Sequence, residues 1–225
     1  MSYPALELVV FDLAGTTVED HGEVPGAFSA ALAEFGLEVT PEQVKQVRGS
    51  SKRQAVLSFI PPGPRQAQTA AEAYTAFRNH LVRRYAEGGV RAIPGAERVF
   101  QSLREKGVKV ALNTGFEREI TRLLLAALGW TQGTVDAVVC GDEVAHGRPA
   151  PDLILRAMEL VSARDAGQVA NVGDTVLDLQ AGYQAGVRWN IGVLSGAHDR
   201  QTLESAPHTH LLASVAGLTG LWVDG

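Results

Sequence analysis

Short apolar runs alternate with longer stretches of helical periodicity along this chain. Leu6 to Phe11 is rich in valine, carries Glu7 as its one charge and ends at Asp12, with Gly15 close behind. A run that is apolar on both faces predicts a buried parallel strand feeding a tight loop. Comparable runs at Val108 to Leu112, Val135 to Val139, Val169 to Val172 and Arg188 to Val193 predict further strands. Between them, apolar positions three and four apart predict helices over Ala96 to Lys106, Glu117 to Leu128, Pro151 to Val161 and Val176 to Ala185. Gly107, Gly129 and Gly186 stand where helix ends are expected. The alternation predicts an α/β fold with a doubly wound parallel sheet.

One segment breaks the alternation. From about Val18 to Val90 no strand pattern occurs, and helices are predicted over Val24 to Phe35, Pro41 to Val47, Ser51 to Phe59 and Gln66 to Ala86. Thr40, Pro41 and Gln43 form a capping-box start, with proline at the first helical position. Pro61-Pro62-Gly63-Pro64 separates two of these helices. The expectation is a core domain of residues 1–17 and 91–225 with an all-helical domain, 18–90, inserted after the first strand. The sheet resumes near Ile93-Pro94-Gly95, and the apolar last ten residues predict a packed terminal helix or strand.

Length and charge narrow the function. A chain of 225 residues holds one large domain or a domain with an insertion. A net charge of -5 argues against nucleic acid as partner. One cysteine, Cys140, forms no intramolecular disulfide, and its apolar neighbours predict a buried strand residue. The start of the chain lacks a signal-peptide pattern, and no stretch approaches the roughly 20 apolar residues of a membrane span. A cytoplasmic protein without a membrane partner is expected.

In open parallel sheets ligands bind beyond the carboxyl ends of the strands. Those ends carry Asp12-Leu13-Ala14-Gly15-Thr16-Thr17, then Asn113-Thr114-Gly115, then Gly141-Asp142 with Arg148-Pro149 soon after, then Gly173-Asp174-Thr175 with Asp178. Any one of these would ordinarily be a turn or a helix cap. Together, carboxylates, a hydroxyl and a cation at one sheet edge suit phosphoryl transfer.

The stretches FDLAGT, NTG, GRPAPD and VGDTVLD resemble the four ordered motifs of haloacid dehalogenase-type hydrolases, over nearly the whole chain. The resemblance implies a Rossmann-like parallel core with an inserted helical cap that closes over the site. It implies Asp12 as the nucleophile that becomes an aspartyl-phosphate. Thr114 and the backbone of Gly115 would hold phosphate oxygens, and Arg148 would neutralise nucleophile and phosphoryl group. Mg2+ would be held by Asp12, the Ala14 carbonyl and Asp174, with Asp178 as a ligand or just behind the ligands.

Phosphatases of this superfamily usually carry a second aspartate where this chain has Ala14. Without that general acid, ester hydrolysis should slow by about 10²–10⁴-fold. DLAGTTV and GRPAPD resemble instead the phosphonoacetaldehyde hydrolase, or phosphonatase, branch. There a cap lysine just after a glycine forms an imine, which serves as electron sink for carbon–phosphorus cleavage. Gly49-Ser50-Ser51-Lys52 offers Lys52. A predicted first helical turn, with Arg48 and Arg53 beside it, disfavours a charged ammonium. A lone lysine in a basic cluster would otherwise be a solvated surface residue.

The chain departs from the branch at Ala55 (histidine there), Arg48 (methionine) and Phe116 (tyrosine). Arg48 is expected to read a second negative charge on a small phosphonate or phosphorylated substrate. The branch implies a homodimer. The rival readings are a phosphate monoester phosphatase acting on a small phosphorylated metabolite and a silent phosphate-binding protein. His21 is a weak candidate to enter the site, and His208 and His210 are expected in an exposed loop.

Overall fold

The computed structural model describes residues 6–130 and 133–223. Residues 1–5, 131–132 and 224–225, which the expected core range and terminal segment include, lie outside the described residues.

The first strand, β1 (Leu8–Asp12), is buried throughout. Val9 and Phe11 enter one apolar cluster and Leu8 and Val10 another, so both faces of the strand are covered. That two-sided burial is why the run carries no alternating polar residues. β1 pairs in parallel with β2 (Lys109–Asn113) on one side and β4 (Val169–Gly173) on the other. With β3 (Ala137–Val139), β5 (Trp189–Val193) and β6 (His210–Leu212) the sheet order is β3-β2-β1-β4-β5-β6. The chain therefore winds outward from β1 to β3 and then returns to the far side. This leaves a crevice beyond the ends of β1 and β4, the usual ligand position.

β6 corrects the loop expected around His210, which opens that strand. Three half-buried residues carry too short a pattern to read as a strand.

Helix α5 (Ala96–Glu105) covers one face of the sheet, while α7 (Asp152–Val161) and α8 (Val176–Ala185) cover the other. The short α9 (Arg200–Glu204) precedes β6. A 3-10 turn at Val215–Leu218 packs Val215 and Leu218 against the α5 side, and a π-helical turn, Thr219–Val223, follows. No helix among the described residues is long and apolar enough to cross a membrane.

Between β1 and α5 lie four helices, α1 (Glu23–Ala33), α2 (Pro41–Gln46), α3 (Lys52–Phe59) and α4 (Gln66–Gly88). The capping box at α2 forms as expected, with the Gln43 amide donating to Thr40 Oγ1 at 3.2 Å and the Thr40 amide to Gln43 Oε1 at 2.8 Å. Phe28 and Phe77 meet in a tilted contact, ring centres 4.5 Å apart, in the apolar centre of the four helices. That centre is completed by Phe116 and by Ile120 and Leu124 of α6 (Arg118–Ala127), which belong to the sheet side. Burying these side chains together is worth roughly 1.5–3 kcal/mol for each large one, so the insert is held against α6.

Candidate active site

The carboxylates of Asp12, Asp174 and Asp178 converge, with one oxygen from each within 4.8 Å of the others, and all three residues are buried. Asp12 ends β1, and Asp174 follows β4, its neighbour in the sheet. Arg148 lies between them. Its Nη2 donates to Asp12 Oδ1 at 2.7 Å, and its Nε pairs with Asp178 Oδ1 at 2.7 Å. Nη2 also donates to Asn113 Oδ1, and Nη1 donates to the carbonyl of Gly49 in the helical insert at 3.0 Å.

The sequence places Asn113 at a strand end but gives it no role of its own. The signal was available, because it is a polar residue at a buried strand end, directly in register with Asp12.

Asp178 is largely occupied. Beyond Arg148, its Oδ2 accepts from the amide of Thr175 at 3.0 Å and from the Thr175 hydroxyl, in a capping box that starts α8. Asp174 accepts from Thr16 Oγ1 at 3.1 Å and from the Ala197 amide at 2.7 Å.

Burial pushes the Asp12 carboxyl up to about 6, against the lowering effect of Arg148 and with the help of Asp178. Burial, then the charges of Asp12 and Asp178, pushes Asp174 up to about 7. Two buried carboxylates that resist ionising side by side, in an all-oxygen donor set, fit a hard divalent cation, whose charge would relieve their repulsion.

Thr114 and Gly115 line the same cavity as Asp12, Ala14 and Asp174. Thr114 Oγ1 accepts from the Phe116 amide at 3.2 Å. Only glycine fits at 115, since a Cβ there would lie 2.4 Å from the carbonyl oxygen of Ser50.

The insert supplies the opposite wall. Lys52, the first residue of α3, is only 7% exposed, so it is no surface lysine. Its amide donates to the Gly115 carbonyl at 3.3 Å, and Nζ donates to the Ser50 carbonyl at 3.1 Å. Nζ also stands 5.3 Å from the centre of the Phe116 ring. Burial first, and then the nearby Arg48, lowers the lysine to about 8. Gly49 has φ +87°, and a Cβ on it would lie 2.5 Å from Thr175 Oγ1, so the loop before Lys52 rests directly on the sheet side.

Arg48 also lines the cavity, with Nη2 2.6 Å from Asp20 Oδ2. The cavity is small, about 20 Å³, roughly room for one water.

The histidines fall elsewhere. His21 is exposed and pairs with Glu19 at 2.8 Å, so it does not enter the site. His198, which drew no attention in the sequence, is buried in the loop after β5. Its Nδ1 accepts from the Val176 amide at 3.1 Å, and its Nε2 is 3.5 Å from the Lys45 carbonyl of the insert.

A switch-point crevice holding an acid–arginine cluster under helices inserted after β1 is the architecture of a haloacid dehalogenase-like hydrolase, and residues 9–191 match that family. The chain belongs to it and is an enzyme of that superfamily. Within the superfamily, it is 32% identical over 211 residues to a phosphonoacetaldehyde hydrolase of Bacillus cereus, covering 86% of this chain and 78% of the relative. It is 28% identical over 215 residues to a phosphonoacetaldehyde hydrolase of Bacteroides fragilis, covering 90% and 81%. The crystal structure of a phosphonoacetaldehyde hydrolase-like protein from Oleispira antarctica superposes with a TM-score of 0.85 at 24% identity, covering 97% of this chain and 91% of that one.

Proposed function

We propose that this chain is a magnesium-dependent phosphonatase-like hydrolase that cleaves the carbon–phosphorus bond of phosphonoacetaldehyde or a related small phosphonate. The observation that carries the reading is the buried Lys52 amine, which shares one small cavity with Asp12 although the two residues come from different parts of the chain. Ala14, at the position of the usual acid, adds to it, because an imine needs no such acid to release a carbon leaving group.

In this reading the free amine of Lys52 adds to the substrate carbonyl and loses water to give an imine. An Asp12 oxygen attacks phosphorus, and the carbon–phosphorus electron pair moves into the imine to form an enamine. Protonation at carbon and hydrolysis release the carbonyl product, and water hydrolyses the aspartyl-phosphate. Thr114 and the Gly115 amide hold phosphoryl oxygens, and Arg148 orients Asp12. Asp12, Asp174 and the Ala14 carbonyl would hold Mg2+, which supplies charge neutralisation for the phosphoryl group when bound. Asp178 supports Arg148 and stands behind the ligands. Residues 18–90 act as a cap over a core of 1–17 and 91–225, and the cap must open to admit substrate into so small a cavity.

The test is borohydride trapping with phosphonoacetaldehyde and Mg2+. A reduced adduct on Lys52 with release of phosphate is expected. No adduct, together with hydrolysis of phosphate esters, would make the protein a phosphate monoester phosphatase.

A further inference from the structure

Arg48 is held in the wall of the cavity that contains Asp12 and Lys52, and its side chain is only 12% exposed. Its one charged partner is Asp20, whose side chain is 1% exposed. The contact is an ion pair made through Nη2 alone, at 2.6 Å. Asp20 Oδ1 instead accepts from the amides of Gly22 and Val24 at 3.1 and 3.3 Å, which fixes the carboxylate in place. Asp20 thus balances the charge of Arg48 through one nitrogen and leaves Nε and Nη1 without a charged partner among the described residues.

A guanidinium offers five N–H groups in a planar fork that matches a carboxylate. Donors that face a substrate cavity without protein partners are free to meet substrate oxygens. Arg48 and Lys52 line the same small cavity. A group that meets Arg48 would therefore be attached at or next to the carbon that Lys52 attacks.

We infer that the substrate is a 2-oxo acid phosphonate, with a carboxylate on the imine carbon bound by the Arg48 fork. This rests on the imine reading of Lys52 given above. The overall change balances as ⁻OOC–CO–CH2–PO3²⁻ + H2O → ⁻OOC–CO–CH3 + HPO4²⁻. Water lost on forming the imine is returned on its hydrolysis, and one further water cleaves the aspartyl-phosphate. The carbon–phosphorus pair becomes the enamine double bond and then a C–H bond, its proton coming from water. In phosphonoacetaldehyde the position facing Arg48 holds only hydrogen.

The experiment compares 3-phosphonopyruvate with phosphonoacetaldehyde on the magnesium-loaded protein and on Arg48→Met, with borohydride trapping on each. The native protein should favour 3-phosphonopyruvate by at least about tenfold in kcat/KM. Arg48→Met should lose about 100-fold or more on that substrate and at least about tenfold less than that on the aldehyde, which feels only the loss of the Arg48 charge beside Lys52, so that the preference is reversed. If Arg48→Met fails to fold because Asp20 is left unpaired, the Asp20→Asn, Arg48→Met double variant carries the same expectation. Cleavage of the aldehyde in preference to the keto acid, or equal losses on both, would overturn the inference and leave the imine reading standing. Failure of both phosphonates to form an adduct or release phosphate would overturn both.

Discussion

Arg148 donates to the Gly49 carbonyl at 3.0 Å with one nitrogen while another holds Asp12 at 2.7 Å. One side chain of the sheet side thus grips both Asp12 and the loop that leads to Lys52. A lysine at 148 would keep the charge but could not reach Asp12, Asp178 and Gly49 at once. Arg148→Lys should lower kcat by about 10²-fold or more. It should also speed amide hydrogen exchange over residues 47–52, which mass spectrometry would read. Unchanged exchange would mean that the Gly49 contact does not hold the loop.

Gly49 tests closure by itself. Its φ of +87° and the 2.5 Å approach to Thr175 leave no room for a methyl group in the closed arrangement. The left-handed backbone alone costs an alanine about 1–2 kcal/mol. Gly49→Ala should reduce kcat/KM by about tenfold or more, with a smaller effect on Tm, because the clash is relieved if the insert moves away. A large fall in Tm with kcat/KM intact would contradict this.

Lys52 gives a pH profile. Imine formation needs the free amine, and burial lowers Lys52 to about 8. The rate limited by this step should therefore rise with pH and level off near 8 instead of near the ordinary lysine value.

Stability follows the same shift. The folded value lies below the unfolded one, so the charged lysine penalises folding below about 8, and the penalty fades as pH rises through the window to 10.5. Lys52→Met should raise Tm at pH 7, by less at pH 10, and abolish the borohydride adduct.

Asp12 and Asp174 predict the response to metal. Both are raised above their unfolded value, to about 6 and 7. Without metal, the folded protein binds more protons than the unfolded chain between about pH 4 and 7, so the contribution of these groups to stability falls across that window as pH rises. Added Mg2+ should restore it at pH 8, by about 2.7 kcal/mol at one hundred times Kd. Thermal unfolding of Asp174→Asn should show little or none of this gain.

Strands and helices of the core were legible because each obeys a local rule. A strand buried on both faces must be apolar throughout, and a helix must repeat its apolar face every three to four residues. The same periodicity marked the insert, and Thr40 and Gln43 gave its second helix a start that formed as read. β6 and α9 were missed because three and five residues carry too little periodicity. The contacts of Asn113 and His198 were not legible because their partners, Arg148 and Val176, are distant in sequence.

By itself the sequence determined the order of elements and which residues end each strand, since backbone preference and apolar periodicity act over a few positions. It therefore also determined that Asp12, Asn113 and Asp174 share one edge of the sheet. Whether Lys52 is solvated or buried, and whether Arg48 faces water or the cavity of Asp12, was decided only by the tertiary structure. Both depend on how the insert packs through Phe116, Ile120 and Leu124 onto the sheet side. Solvent exclusion and the field of neighbouring charges, which favour the free amine of Lys52, exist only once distant segments have closed on one another.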